Sequence, residues 1–285
     1  EKLNDSSFSN FINFIIKKEK VYANYIDDVC EWCGDTIDGW VTVYTGEQFY
    51  DAVQQNAAIK LGCDITIKNK TFADGITAYG AILANEFNGM IDGQGYSLIV
   101  LAAEAGRPHG GLFVTLNGTI KNTNVILARS DWGDGTRRNI SFATNLNGTI
   151  ENCVINTYFY RFGTAWTIAW AFIQNMGADA VIKNTVFNGL LSVNGLVVAM
   201  EEGAILENVA FISSNVSGLV TTMAVNGNLT NVYACTSLAD FANGIVVYEY
   251  DATQGAMVGV SKIIDVEGTF GYAISVAEIN LPVMH

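Results

Sequence analysis

The sequence predicts an all-β solenoid, on three observations. A short phrase returns five times, its returns are spaced like the turns of a stacked coil, and the composition suits many short strands joined by tight turns. The phrase is a small residue or two, an aliphatic, any residue, then Asn. It reads Gly118-Thr119-Ile120-Lys121-Asn122, Gly148-Thr149-Ile150-Glu151-Asn152, Ala180-Val181-Ile182-Lys183-Asn184, Ala204-Ile205-Leu206-Glu207-Asn208 and Gly227-Asn228-Leu229-Thr230-Asn231. Successive Asn residues are 30, 32, 24 and 23 positions apart, and three residues after each comes Val125, Ile155, Phe187, Phe211 or Ala234. Repeats of this length bury their apolar faces by stacking on their neighbours, so one body can grow through the whole chain.

Half of the 285 residues are hydrophobic and 15% are charged, enough apolar surface for a large core. The only two prolines are Pro108 and Pro282, as expected where most segments must donate to a ladder. The formal charge is −13 with only fifteen Lys and Arg spread along the chain. Neutralising a phosphate backbone needs clustered cations, so nucleic acid is excluded as a partner. An acidic surface of this kind suits a secreted or virion protein, and equally an ordinary acidic soluble one. The sequence holds no run of eighteen uncharged apolar residues, so membrane insertion is not expected. It opens at Glu1 without a signal-peptide pattern, which reads as a leader removed or as a piece of a longer protein.

Two segments read as helix. Over residues 6–32, Phe8, Ile12, Ile15, Ile16, Tyr22, Tyr25, Ile26 and Val29 recur near helical spacing behind Ser6 or Ser7 as a cap. A stripe so apolar must cover a core end or join another chain, so oligomerisation through it is an open reading. Residues 1–44 are therefore taken as an N-terminal helical segment and 45–285 as the capped solenoid. The second helix is predicted from about Glu47 to Asn56, with Thr45 and Gln48 in capping-box spacing. Strands then alternate with turns from Ile59 onward, with rung corners expected near residues 69, 93, 122, 152, 184, 208 and 231. Gly255 to Ile279 keeps strand-like alternation without a readable phase.

Asn at each corner has a physical reason. It tolerates the left-handed backbone of a sharp bend, and its amide both donates and accepts. Stacked about 4.8 Å apart, Asn122, Asn152, Asn184, Asn208 and Asn231 are expected to bond one another in an interior structural ladder. Cys153 and Cys235 beside the phrase read as small buried packing residues. Cys30 and Cys33 form a CxxC without a second ligand pair, and the only histidines are His109 and His285. A local disulfide or two idle thiols is the reading; no metal site and no cofactor is predicted.

The stretch Phe87-Asn88-Gly89-Met90-Ile91-Asp92-Gly93-Gln94-Gly95-Tyr96, then Gly110-Gly111-Leu112-Phe113 ahead of Gly118 to Asn122, resembles surface proteins with GLUG-type repeats. The Gly-Leu-Phe element is missing before Asn152, Asn184 and Asn208. The resemblance implies a right-handed parallel β-helix with an N-terminal α-helical cap, and a role among cell-surface adhesion modules. The same fold also serves phage tailspikes and polysaccharide lyases.

Enzymatic versions of such a coil need clustered carboxylates as calcium ligands or as acid and base. Here Glu151 and Glu207 alternate with Lys121 and Lys183 at the outward position before the Asn, which describes an ordinary charged ladder. The candidate ligand site is the interruption of the repeat at Asp131, Trp132, Asp134, Arg137 and Arg138, joined by Tyr158, Tyr160 and Arg161, with Trp166 and Trp170 further on. Aromatic faces flanked by polar groups suit sugars; the alternative is that these loops simply pack on the coil. Seven Asn-x-Ser/Thr sequons, at Asn4, Asn69, Asn117, Asn139, Asn147, Asn215 and Asn228, carry little weight in a chain so rich in these residues.

The expected function is a non-catalytic, extracellular adhesion or spacer module on a cell surface or virion, with a glycan or host-surface ligand as possible partner. One alternative is a phage virion surface or receptor-binding protein of tailspike or decoration type. A second is a polysaccharide lyase or glycoside hydrolase.

Overall fold

The structure is a computed structural model that describes residues 25–26, 29–30, 39–68, 83–102, 112–132, 142–162, 172–189, 196–213 and 227–271. Among these, the side chains at 25–26, 29–30, 68, 101–102, 128–132 and 157–162 fall outside the description. The described residues are mostly strand, arranged as stacked, mostly parallel sheets in which each strand contacts its rung neighbours. This is a β-solenoid with three walls.

The first wall contains β3 (Trp40–Val43), β4 (Ala58–Leu61), β7 (Met90–Asp92), β10 (Thr119–Lys121) and β13 (Thr149–Glu151). It continues through the first halves of β16 (Val181–Gly189), β18 (Ile205–Ser213) and β19 (Asn228–Cys235). The second wall contains β5 (Ile65–Lys68), β8 (Ser97–Ala102), β11 (Asn124–Trp132), β14 (Val154–Phe162) and the second halves of β16, β18 and β19. The third wall contains β6 (Ala84–Phe87), β9 (Phe113–Leu116), β12 (Ala143–Leu146), β15 (Ile173–Met176) and β17 (Val197–Met200). The repeated phrase sets the register directly: Ile120 pairs with Ile150, Ile150 with Ile182, Ile182 with Leu206, and Leu206 with Leu229.

These aliphatics are buried and form one column of the core. Val125, Ile155, Phe187, Phe211 and Ala234 form a second column from the second wall. Phe87, Leu116, Leu146, Met176 and Met200 form a third. Phe172 packs edge-on against Phe187 and Phe211, with ring centroids 5.0 and 6.1 Å away, and so ties the third wall to the second.

Helix α1 (Gly46–Gln54) lies between β3 and β4. Gln48 N donates to Thr45 Oγ1, and Gln48 Oε1 accepts from Tyr44 N, one residue earlier than a standard capping box. The helix buries Phe49, Ala52 and Val53 and contacts β5 and β6, the outermost strands of their walls.

At the other end the parallel pattern stops. Strands β20 (Ile245–Asp251) and β21 (Ala256–Ile263) form an antiparallel hairpin that joins β19. The strand-like alternation after Gly255 is thus the return strand of a hairpin, followed by a helix. Helices α2 (Leu238–Ala242) and α3 (Val266–Phe270) lie on the outer side of the second wall. There Phe241, Val246, Val266 and Phe270 build a second apolar cluster with Val154, Val186, Ala210, Ile212, Tyr233 and Cys235. Burial on both faces explains why Val209-Ala210-Phe211-Ile212 is a continuous apolar run rather than an alternating one.

Several expectations need correction. Within the stretch expected to be helical over 6–32, β1 (Tyr25–Ile26) and β2 (Val29–Cys30) pair antiparallel, Tyr25 opposite Cys30 and Ile26 opposite Val29. Three of these four residues, Tyr25, Ile26 and Val29, are aromatic or β-branched, which suits a strand pair as well as a helical stripe. Residues 6–24 and Cys33 lie outside the described residues. The sheet begins at Trp40, ahead of the boundary expected between residues 44 and 45. The first corner is at Gly62–Asp64, not at residue 69, since Ile65–Lys68 is already the second-wall strand. Asn69 lies outside the described residues. Near residue 93 the left-handed positions are Gln94 (φ 52°) and Gly95 (φ 88°).

Candidate functional site

The corner between the first and second walls carries the Asn ladder. Asn122, Asn152, Asn184, Asn208 and Asn231 have φ between 47° and 54°. Each Nδ2 donates to the side-chain oxygen one rung earlier: Asn152 to Asn122 at 3.2 Å, Asn184 to Asn152 at 3.1 Å, Asn208 to Asn184 and Asn231 to Asn208 at 2.9 Å. The series starts on a carboxylate, Asp92 Oδ1, which accepts from Asn122 Nδ2 at 3.0 Å. The ladder is not interior as expected. Four of the Asn side chains are half-buried and Asn231 is exposed. The left-handed turn falls on the Asn itself, and the following residue, Thr123, Cys153, Thr185, Val209 or Val232, fills the interior.

Cys153 and Cys235 are buried, and burial pushes both thiols up to about 12, far from any reactive thiolate state. Cys63, half-buried, donates its thiol to Tyr44 O.

The outward positions of the first wall form two columns. One reads Lys60, Asp92, Lys121, Glu151, Lys183, Glu207 and Thr230, in register. Its signs alternate, and neighbours pair: Lys121 Nζ is 3.4 Å from Asp92 and Lys183 Nζ is 3.3 Å from Glu151. The other reads Trp40, Ala58, Met90, Thr119, Thr149, Val181, Ile205 and Asn228. The Trp40 ring faces Lys60 and Lys121, with Nζ 5.3 and 5.8 Å from its centroid.

A second amide ladder was missed in the sequence. At the corner entering the first wall, Asn147 Nδ2 donates to Asn117 Oδ1 and Asn117 Nδ2 to Asn88 Oδ1, both at 2.8 Å, and Asn117 also donates to Glu86. Asn56 Oδ1 takes the Asn88 N–H, extending the series by one rung. On the adjoining third wall, Asn175 Nδ2 donates to Asn145 Oδ1 at 2.9 Å. The signal was present as three Asn-Gly pairs, Asn88-Gly89, Asn117-Gly118 and Asn147-Gly148, two of which read only as sequons.

The predicted ligand site is brought together in part. Strands β11 and β14 pair over nine positions, setting the backbone of Asp131 opposite Arg161, Ser130 opposite Tyr160, Ala128 opposite Tyr158 and Trp132 opposite Phe162. Among the described residues, β8 pairs with β11 up to Arg129, and positions 130–132 and 160–162 pair with each other as a two-stranded ribbon. Asp134, Arg137, Arg138, Trp166 and Trp170 lie outside the described residues.

Among the described residues, no group of three or more His, Cys, Asp or Glu is placed to hold a metal ion, and no helix is long and apolar enough to cross a membrane. The chain matches no family model, no curated protein and no solved structure.

Proposed function

We propose that the chain is a right-handed parallel β-helix, capped at its N-terminal side by α1, that acts as a non-catalytic adhesion or spacer module on an extracellular cell or virion surface. The observation that carries this reading is the way the outward polar side chains are used. Amides bond amides and lysines bond carboxylates along the coil axis, rung to rung, in ladders that stiffen a rod. Catalysis by paired carboxylates needs the opposite arrangement, with acidic groups converging across one groove.

The glycan-binding part of the proposal falls on the ribbon of 130–132 and 160–162, with Asp131, Trp132, Tyr160 and Arg161 as its residues and Tyr158 beside them. The likeness to GLUG-type surface proteins supports the adhesion role as a likeness of motifs. A glycan array, combined with a reducing-sugar assay on uronate polymers with and without Ca²⁺, tests the reading. Binding without cleavage is the expected result. Calcium-dependent cleavage would overturn the non-catalytic assignment.

A further inference from the structure

We propose that the first wall is a self-recognition face, through which two copies of the chain associate about a two-fold axis parallel to the strands. This goes beyond the adhesion reading and does not depend on a glycan ligand. The argument starts from the charged column. Asp92 is only 6% exposed, while side chains of Lys121, Glu151 and Lys183 are 30–37% exposed and Glu207 is exposed. From Lys121 to Glu207 the four accessible charges therefore read plus, minus, plus, minus along the coil; Lys60, also half-buried, lies at the end of the column beyond Asp92.

A series of that form is complementary to its own reversal. Rotation about an axis parallel to the strands, placed between the rungs of Glu151 and Lys183, lays one coil antiparallel on the other and keeps each column on its counterpart. Glu151 then faces the second copy's Lys183, and Lys121 faces its Glu207. In the neighbouring column Thr149 meets Val181, Thr119 meets Ile205, and Met90, which is 37% exposed, meets Asn228. Every charged contact joins opposite signs and the second column stays free of charge. Rotation about the coil axis instead would set the charged column against Thr149, Val181 and Ile205, which desolvates charges without partners. An isologous contact needs self-complementarity of the first kind.

The wall is also topologically accessible. Its fully described connections to the other walls run over two to four residues in the separate strands, or pass through a single Asn within β16, β18 and β19. Most of the longer connections join the second wall to the third; residues 44–57 instead join β3 to β4 within the first wall, and residues 214–227 join β18 to β19.

From Met90 to Asn228 the face covers five rung steps, about 24 Å. That is smaller than a standard stable interface, so a single pair is weak and reversible and gains strength where many copies are displayed. Antiparallel coils are also the geometry of contact between two opposed surfaces.

Sedimentation velocity of the whole chain, from about 10 μM to about 1 mM, tests this. The expected result is a reversible monomer–dimer equilibrium that weakens at least ~10-fold when salt is raised to about 0.5 M. Two variants sharpen the test. Glu151→Lys with Glu207→Lys makes the four charges from residue 121 to residue 207 all basic, and Lys121→Glu with Lys183→Glu makes them all acidic. Each is expected to be monomeric alone, and an equimolar mixture to associate at least as tightly as the unmodified chain. Should either fail to fold by circular dichroism, Thr149→Arg, which leaves the intrachain ion pairs in place, must abolish the dimer by itself. A chain monomeric at about 1 mM, a trimer indifferent to salt and to Thr149→Arg, or folded variants that do not associate on mixing would each overturn the proposal.

Discussion

The two corners flanking the first wall solve the same problem with different chemistry. Leaving the wall, the chain bends at Asn122, Asn152, Asn184, Asn208 and Asn231, where one residue supplies both the left-handed backbone and the ladder bond. Entering it at β7, β10 and β13, no left-handed residue is used: Asn88, Asn117 and Asn147 carry the ladder, and the glycines after them stand where the backbone lies too close to the previous rung for a side chain. A Cβ on Gly118 would sit 2.0 Å from Gly89 O, and one on Gly148 would sit 1.9 Å from Gly118 O. Each of those oxygens accepts the next rung's N–H, from Thr119 and Thr149, so the close approach is part of the backbone ladder. The single-residue corner persists from Asn122 to Asn231. The Asn-Gly corner lasts three rungs and is then replaced by the four-residue turns Gly177–Ala180 and Glu201–Ala204. A device that needs one residue to be right survives more variation between rungs than one that needs two.

The sharpest way to break this contrast is Gly148→Ala. Its Cβ meets a backbone oxygen that cannot move without dragging a rung, so a loss of about 3 kcal/mol or more is expected by denaturant unfolding. Next comes Asn152→Ala, which removes one donor and one acceptor from the ladder and places Ala at φ 52°. About 2 kcal/mol should go, and Asn152→Gly should recover about 1 kcal/mol of it because the backbone term disappears. Equal losses for the two variants would show that the amide alone matters. Asn117→Ala, at an exposed position with ordinary backbone, should cost about 1 kcal/mol or less in the same measurement.

The smallest effect near neutral pH concerns Cys153, directly after Asn152. Its thiol is raised from 9.0 to about 12 by burial, the largest cause, and so is protonated in folded and unfolded chains alike at pH 7. Above pH 9 the unfolded thiol ionises and the folded one does not. The stability this represents is complete below pH 9 and is lost as pH rises through about 12. Iodoacetamide at pH 8 should therefore alkylate Cys63 in the folded chain, and Cys153 and Cys235 only in denaturant. Prompt labelling of native Cys153 would show that the Asn152 corner opens.

The register of the first wall was legible from β10 to β19 because its phrase repeats in those five rungs, with Ile120, Ile150 and Ile182 at a fixed offset from each Asn. The alternating outer charges followed from the same offset. The ladder's depth was not legible, since strand alternation assigns Asn122 to the inside while its positive φ turns it to the edge. The Gly62–Asp64 corner was hidden because Asn69 falls one repeat interval before Gly93 and imitates the period. Nothing local in the sequence separates Val186 and Ile212, which face the C-terminal helices, from Phe187 and Phe211, which face the core. That distinction depends on where α2 and α3 come to rest. For the ligand site, the sequence grouped Asp131 and Arg161 as residues of two successive long rungs; only the strand pairing sets their backbones side by side.

The placement of α2 and α3 has a consequence for synthesis. They cover the outer face of β16 and β18, strands that leave the ribosome well before them. Until residues 238–270 have been made, Val186, Ala210 and Ile212 remain an uncovered apolar strip beside already stackable rungs. A nascent or truncated chain that stops after Cys235 carries that strip permanently, on a parallel sheet whose last edge lacks its antiparallel hairpin. Residues 238–270 thus complete the coil's outer face, and chains cut short before them are the ones that should stick to each other.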